Sequence, residues 1–102
     1  MSYLAATVSR EAKNMAALRD VYEKQLAELP KGSIQIKERK DKKYYYLSYR
    51  NGGRVASEYL GNDESVVAEL KERLERRKGI ENLLKNINKE LASMNKILEA
   101  AK

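Results

Sequence analysis

Tyr44, Tyr45, Tyr46 and Tyr49 stand in a stretch crowded with bases: Lys37, Arg39, Lys40, Lys42 and Lys43 precede or adjoin them, and Arg50 and Arg54 follow. These residue types suit nucleic-acid chemistry. Lysine and arginine neutralise phosphates, tyrosine hydroxyls bond phosphate oxygens, and tyrosine rings stack on bases. Tyrosine is also a good strand former whose ring packs while its hydroxyl stays wet, so part of the run must serve the fold. Charge location sharpens the point. The net charge is +6, and eight of the 21 bases but only two of the 15 acids lie between Lys31 and Arg54, which leaves 13 of each sign elsewhere. The whole excess therefore sits in the middle of the chain, as expected if an anionic partner binds there.

Other chemistries find few residues to use. The sequence has no cysteine and no histidine, so a disulfide framework, thiol catalysis, a Cys/His zinc site and a histidine acid/base are all excluded. Glu69, Glu72 and Glu75 could in principle pair as carboxylates, but Glu69–Arg73 and Glu72–Arg76 have the spacing of solvated helix ion pairs. Gly52-Gly53 is followed by no Gly-Lys-Ser/Thr and opens no helix, so it is not a phosphate loop. Arg73, Arg76, Arg77 and Lys78 form a second basic cluster, read chiefly as an interruption of a helical seam. We expect no enzyme, no metal and no cofactor. The lack of cysteine suits a reducing compartment, and no apolar run approaches the roughly 20 residues of a membrane span. The expected location is the cytoplasm.

The elements that must position these residues follow from periodicity. The chain of 102 residues is expected to form a single domain, α+β in class. From about Ser2 to Leu29, apolar residues recur at helical spacing: Met1, Val8, Met15, Tyr22 and Leu29 on one heptad position, Leu4 and Leu18 on another. Pro30 ends this helix. Across residues 33–61 the period becomes two, which predicts a three-stranded antiparallel meander. Asp41-Lys42 is the expected first turn and Asn51-Gly52-Gly53 the second. Read as a three-residue loop, the second turn pairs Arg50 with Arg54 and Tyr49 with Val55. One face would then carry Tyr45, Leu47, Tyr49, Val55 and Tyr59 toward the helices. The other would carry Tyr44, Tyr46, Arg50, Arg54 and Glu58. Residues 62–101 predict a closing helix, capped by Asn62 or Asp63, either continuous or broken near Gly79. Its expected seam is Val66, Leu70, Arg73, Arg77, Ile80, Leu84, Ile87, Leu91, Met94 and Leu98.

Gly32-Ser33-Ile34, the run from Tyr44 to Gly53 (YYYLSYRNGG) and Tyr59-Leu60-Gly61 together resemble a pattern in a group of small uncharacterised prokaryotic proteins. Those proteins have a helix, a Gly-Ser-initiated hairpin reading roughly YYYLxYRxGG, and a coiled-coil-like closing helix. The pattern is also similar to the hairpin near the N-terminus of some insertion-sequence transposases. The resemblance implies a mobile-element or DNA context. Where some relatives carry cysteines, this sequence has Lys37 to Lys43, so no metal role carries over.

The expectation is a small DNA-binding protein, with mobile-element or phage origin, that uses Lys37, Arg39, Lys40, Lys42, Lys43, Tyr44, Tyr46, Arg50 and Arg54 on a basic hairpin face. DNA is expected over RNA. The competing expectation is a regulatory protein, such as a phage-encoded inhibitor of a host machine, acting through the helical seam. A homodimer through the helices is expected in either case, because a chain this small gains apolar burial by pairing with a copy.

Overall fold

The computed structural model describes residues 2–101; Met1 and Lys102 lie outside them, so the proposed heptad role of Met1 is not addressed. The element order is α1 (Tyr3–Glu28), β1 (Ser33–Arg39), β2 (Lys42–Asn51), β3 (Arg54–Gly61) and α2 (Glu64–Ala100). Two long helices thus flank a three-stranded antiparallel sheet of order β1-β2-β3 in sequence. The chain resolves into two compact units: one from Leu29 to Lys78, the other joining α1 to the part of α2 from Gly79 onward. No helix among the described residues is long and apolar enough to cross a membrane.

Local chemistry explains where each element starts. Ser2 caps α1, its Oγ accepting from the Ala5 amide at 3.1 Å. Asp63 caps α2, its Oδ1 accepting from the Ser65 hydroxyl at 2.7 Å and the Ser65 amide at 3.0 Å. Those bonds, the hydroxyl first, hold the Asp63 carboxyl below its ordinary value. Gly32, at φ +127°, enters the sheet so closely that a Cβ there would collide with the Ser48 carbonyl.

Both hairpins close through two-residue loops with left-handed backbone. Lys40 and Asp41 (φ 49° and 65°) join β1 to β2, and Gly52 and Gly53 (φ 60° and 86°) join β2 to β3. This corrects two expectations. The first turn is Lys40-Asp41, one residue earlier than Asp41-Lys42. The second is Gly52-Gly53, with Asn51 in the strand opposite Arg54 and Arg50 opposite Val55. Shortening that loop by one residue turns all of β3 over. Val55 and Tyr59 leave the helix-facing side, while Arg54 and Glu58 join it. Beyond Tyr59 the register slips: Tyr46 faces Tyr59 but Tyr45 faces Gly61, which leaves Leu60 as the extra residue of a bulge.

The sheet packs one face on the start of α2. Tyr45 and Leu47 are buried together with Val67 and Leu74, and Ile34, Ile36 and Tyr45 line a common hollow with Val67, Ala68 and Leu74. The Arg77 guanidinium donates to the Leu29 carbonyl at 2.9 Å, which makes this member of the second basic cluster a structural tie.

Helix α2 is continuous through Gly79. Its buried or half-buried positions are Val67, Leu70, Leu74, Arg77, Ile80, Leu84, Ile87, Leu91, Met94 and Leu98. Val66 and Arg73, expected in the seam, are exposed. Steps of three and four alternate except at Leu74–Arg77–Ile80, where two threes follow one another. That phase change falls where the two units divide. In the helical unit Ile80, Leu84, Ile87 and Leu91 are buried. The α1 side of that unit is built from small residues: Ala5 is buried, and Ser9, Ala12 and Ala16 share a hollow with Leu91 and Leu98. Leu4 and Leu18, the second expected heptad position, are exposed.

Candidate nucleic-acid interface

Residues directly opposite one another on paired strands share a face, and alternate residues change face. The pairings therefore define the side of the sheet turned away from α2. Ser33, Gln35, Lys37 and Arg39 come from β1; Lys42, Tyr44, Tyr46, Ser48 and Arg50 from β2; Val55, Ser57 and Tyr59 from β3. This outer face carries four bases and no acid. Both strand carboxylates, Glu38 and Glu58, fall on the helix-facing side, opposite Lys43 and Leu47.

The outer face is ordered in rows across the sheet. Arg39 pairs with Lys42 at one end, next to the exposed Lys40-Asp41 turn. Lys37 pairs with Tyr44, then Gln35 with Tyr46 and Tyr59. A hydroxyl row of Ser33, Ser48 and Ser57 follows, and Arg50 with Val55 closes the far end. Tyr59 links the aromatic rows: its ring centroid lies 5.3 Å from that of Tyr46 and 6.3 Å from that of Tyr44, both tilted. The Lys37 ammonium sits 4.9 Å from the centre of the Tyr46 ring. Lys37, Arg39, Tyr44 and Tyr46 line a shallow hollow of about 180 Å³.

Of the nine residues singled out in the sequence, six lie on this face: Lys37, Arg39, Lys42, Tyr44, Tyr46 and Arg50. Lys40 is in the adjoining turn. Lys43 and Arg54 are on the helix-facing side, at opposite ends of β2 and its neighbour, both exposed. The sequence reading missed Tyr59, half-exposed at 55%, and the serine row. The signal for Tyr59 and Ser57 was the length of the Gly-Gly turn, which sets which way β3 faces; Ser33 and Ser48 follow from alternation along β1 and β2.

A larger hollow of about 540 Å³ lies on the other side of the sheet, with Ile34, Ile36, Tyr45, Val67 and Leu74 among its lining. It adjoins the core and shares none of the nine residues. Among the described residues no group of three or more carboxylates could hold a metal ion.

Fold and face together define a small helix–meander–helix protein with an acid-free, tyrosine-bearing sheet surface. The chain belongs to the family described as domain of unknown function DUF6788, whose model matches residues 12–72. That span holds the entire sheet and every residue of the outer face. No curated protein and no solved structure matches the chain.

Proposed function

We propose that the protein binds nucleic acid through the outer face of its sheet and has no catalytic activity of its own. The observation that carries this is the segregation of charge: Lys37, Arg39, Lys42 and Arg50 share a face with three tyrosines and no carboxylate. An ordinary solvated surface intersperses both signs. DNA is the preferred target, in a mobile-element or phage setting; the mobile-element context is what the hairpin's resemblance to that of some insertion-sequence transposases implies, and a cytoplasmic location is proposed from the absence of cysteine. Fluorescence anisotropy with a labelled oligonucleotide tests the reading. Binding near 50 mM salt that weakens steeply as salt rises is expected, since each neutralised phosphate steepens the fall of log K with log salt by about 0.9 in duplex DNA and about 0.7 in a single strand. No detectable binding near 50 mM salt would overturn it.

A protein-interaction role through the helices has its own supporting observation. Leu4 and Leu18 on α1, and Leu83 and Ile97 on α2, are exposed apolar residues, each pair 14 positions apart and hence on one helix face. The buried seam of the helical unit is already covered, so a partner would use these residues instead. The partner we propose is a second copy. Sedimentation equilibrium should give about twice the 11.7 kDa chain mass, and Leu18→Glu with Ile97→Glu should return it to one. A monomer at high micromolar concentration would refute the homodimer.

A further inference from the structure

We infer that the outer face takes single-stranded nucleic acid in preference to duplex, with unstacked bases lying on Tyr44, Tyr46 and Tyr59. This rests on the nucleic-acid reading above and adds the form of the ligand. Successive outward rows of a strand are about 6.6 Å apart, whereas base pairs in a duplex are stacked about 3.4 Å apart along each strand. Rings on neighbouring rows therefore cannot each receive a base that remains stacked on its neighbour. They match bases splayed out from an extended strand.

The other features of the face agree. The rings are held at the sheet surface by one another: Tyr59 touches both Tyr46 and Tyr44 across the strand boundary. Tyr59 reaches this position because the two-residue Gly52-Gly53 turn sets the register of β3 as far as the Tyr46–Tyr59 pair; the Leu60 bulge comes only after it. Lys37 stands over the Tyr46 ring and beside Arg39 in the same hollow, and its flexible side chain swings aside for a base to lie there. Phosphates of a strand whose bases lie on Tyr44 and Tyr46 would meet these cations. The serine row offers hydroxyls to the backbone, and Arg50 offers a further phosphate contact at the far end. The three rings touch two strands rather than one, so the ligand path crosses β2 and β3 rather than following either. Stacking on rings with no hydrogen-bond code implies tolerance of sequence.

The chain has seven tyrosines and no tryptophan, so its near-ultraviolet emission reports on tyrosine directly. The test titrates the full chain with a mixed-sequence single-stranded DNA oligonucleotide and with the same sequence as duplex, at about 50 mM salt. Single strands should bind at least about ten-fold tighter and quench tyrosine emission. Tyr46→Ala and Tyr59→Ala should each lose about ten-fold toward the single strand, and Tyr46→Phe, which keeps the ring, should bind within about two-fold of the parent. Circular dichroism of each variant reports whether the fold is kept, and Tyr46→Phe remains informative if Tyr46→Ala unfolds. Equal affinity for duplex, with no loss in folded Tyr59→Ala but a loss in Lys37→Ala with Arg39→Ala, would overturn the single-strand inference and leave nucleic-acid binding standing. No binding to either oligonucleotide would overturn both.

Discussion

The two faces of the sheet use the same residue types for opposite ends. On the helix-facing side Tyr45 is 8% exposed and packs beside Leu47, and the carboxylates Glu38 and Glu58 stand among the residues around it. On the outer side Tyr44, Tyr46 and Tyr59 are left in contact with solvent, and bases stand without acids. A tyrosine in the Tyr44–Tyr46 run therefore serves the core or the surface according to the parity of its position. A run of three tyrosines on one strand cannot all do the same work.

Stability should separate the faces first. Leu47→Ala removes a buried side chain and should cost about 2–5 kcal/mol, enough to unfold a unit this small, whereas Arg50→Ala on the outer face should stay within about 0.5 kcal/mol. Urea unfolding of both variants checks the contrast, and comparable losses would break it. Gly32→Ala comes next. Positive φ and the Ser48 carbonyl both oppose a Cβ, so a loss of roughly 2–3 kcal/mol is expected in the same assay. The smallest effect is a gain. Asp41 holds φ 65° in the first turn, and Asp41→Gly should raise stability by about 0.5–1 kcal/mol, read as a higher urea midpoint at unchanged m. A lower midpoint would show that Asp41 makes a stabilising contact in that turn.

The layout of the chain was open to reading because the period of its apolar residues changes twice, with Pro30 and Gly61 at the changes. The β1–β2 hairpin faces followed from parity alone. Strand β3 did not, because Asn51-Gly52-Gly53 is compatible with a two- or a three-residue loop and only pairing decides. That single residue moved Arg54 off the candidate face and Tyr59 onto it. The helical seam failed in a comparable way. Extending the regular alternation of threes and fours back from Ile80 selects Arg73 and Val66, whereas the buried residues are Leu74 and Val67. The step at Leu74–Arg77–Ile80 follows from which surface each part of α2 covers, and periodicity carries no information about that. In α1, Ala5 and Ala12 line the interface where the larger Leu4 and Leu18 were expected. Alanines allow close approach of helices, and hydrophobicity alone ranks them below leucine.

The most direct measurement compares salt slopes from the two faces. The dissociation constant for a single oligonucleotide is followed against salt for three proteins: the parent, Lys37→Ala/Arg39→Ala/Lys42→Ala/Arg50→Ala on the outer face, and Lys43→Ala/Arg54→Ala on the helix-facing side. With a single-stranded oligonucleotide the outer-face variant should lose about 3 units of slope in log K against log salt, while the helix-facing variant stays within about one unit of the parent. Equal flattening per charge removed from either face would contradict a binding surface confined to the outer side of the sheet.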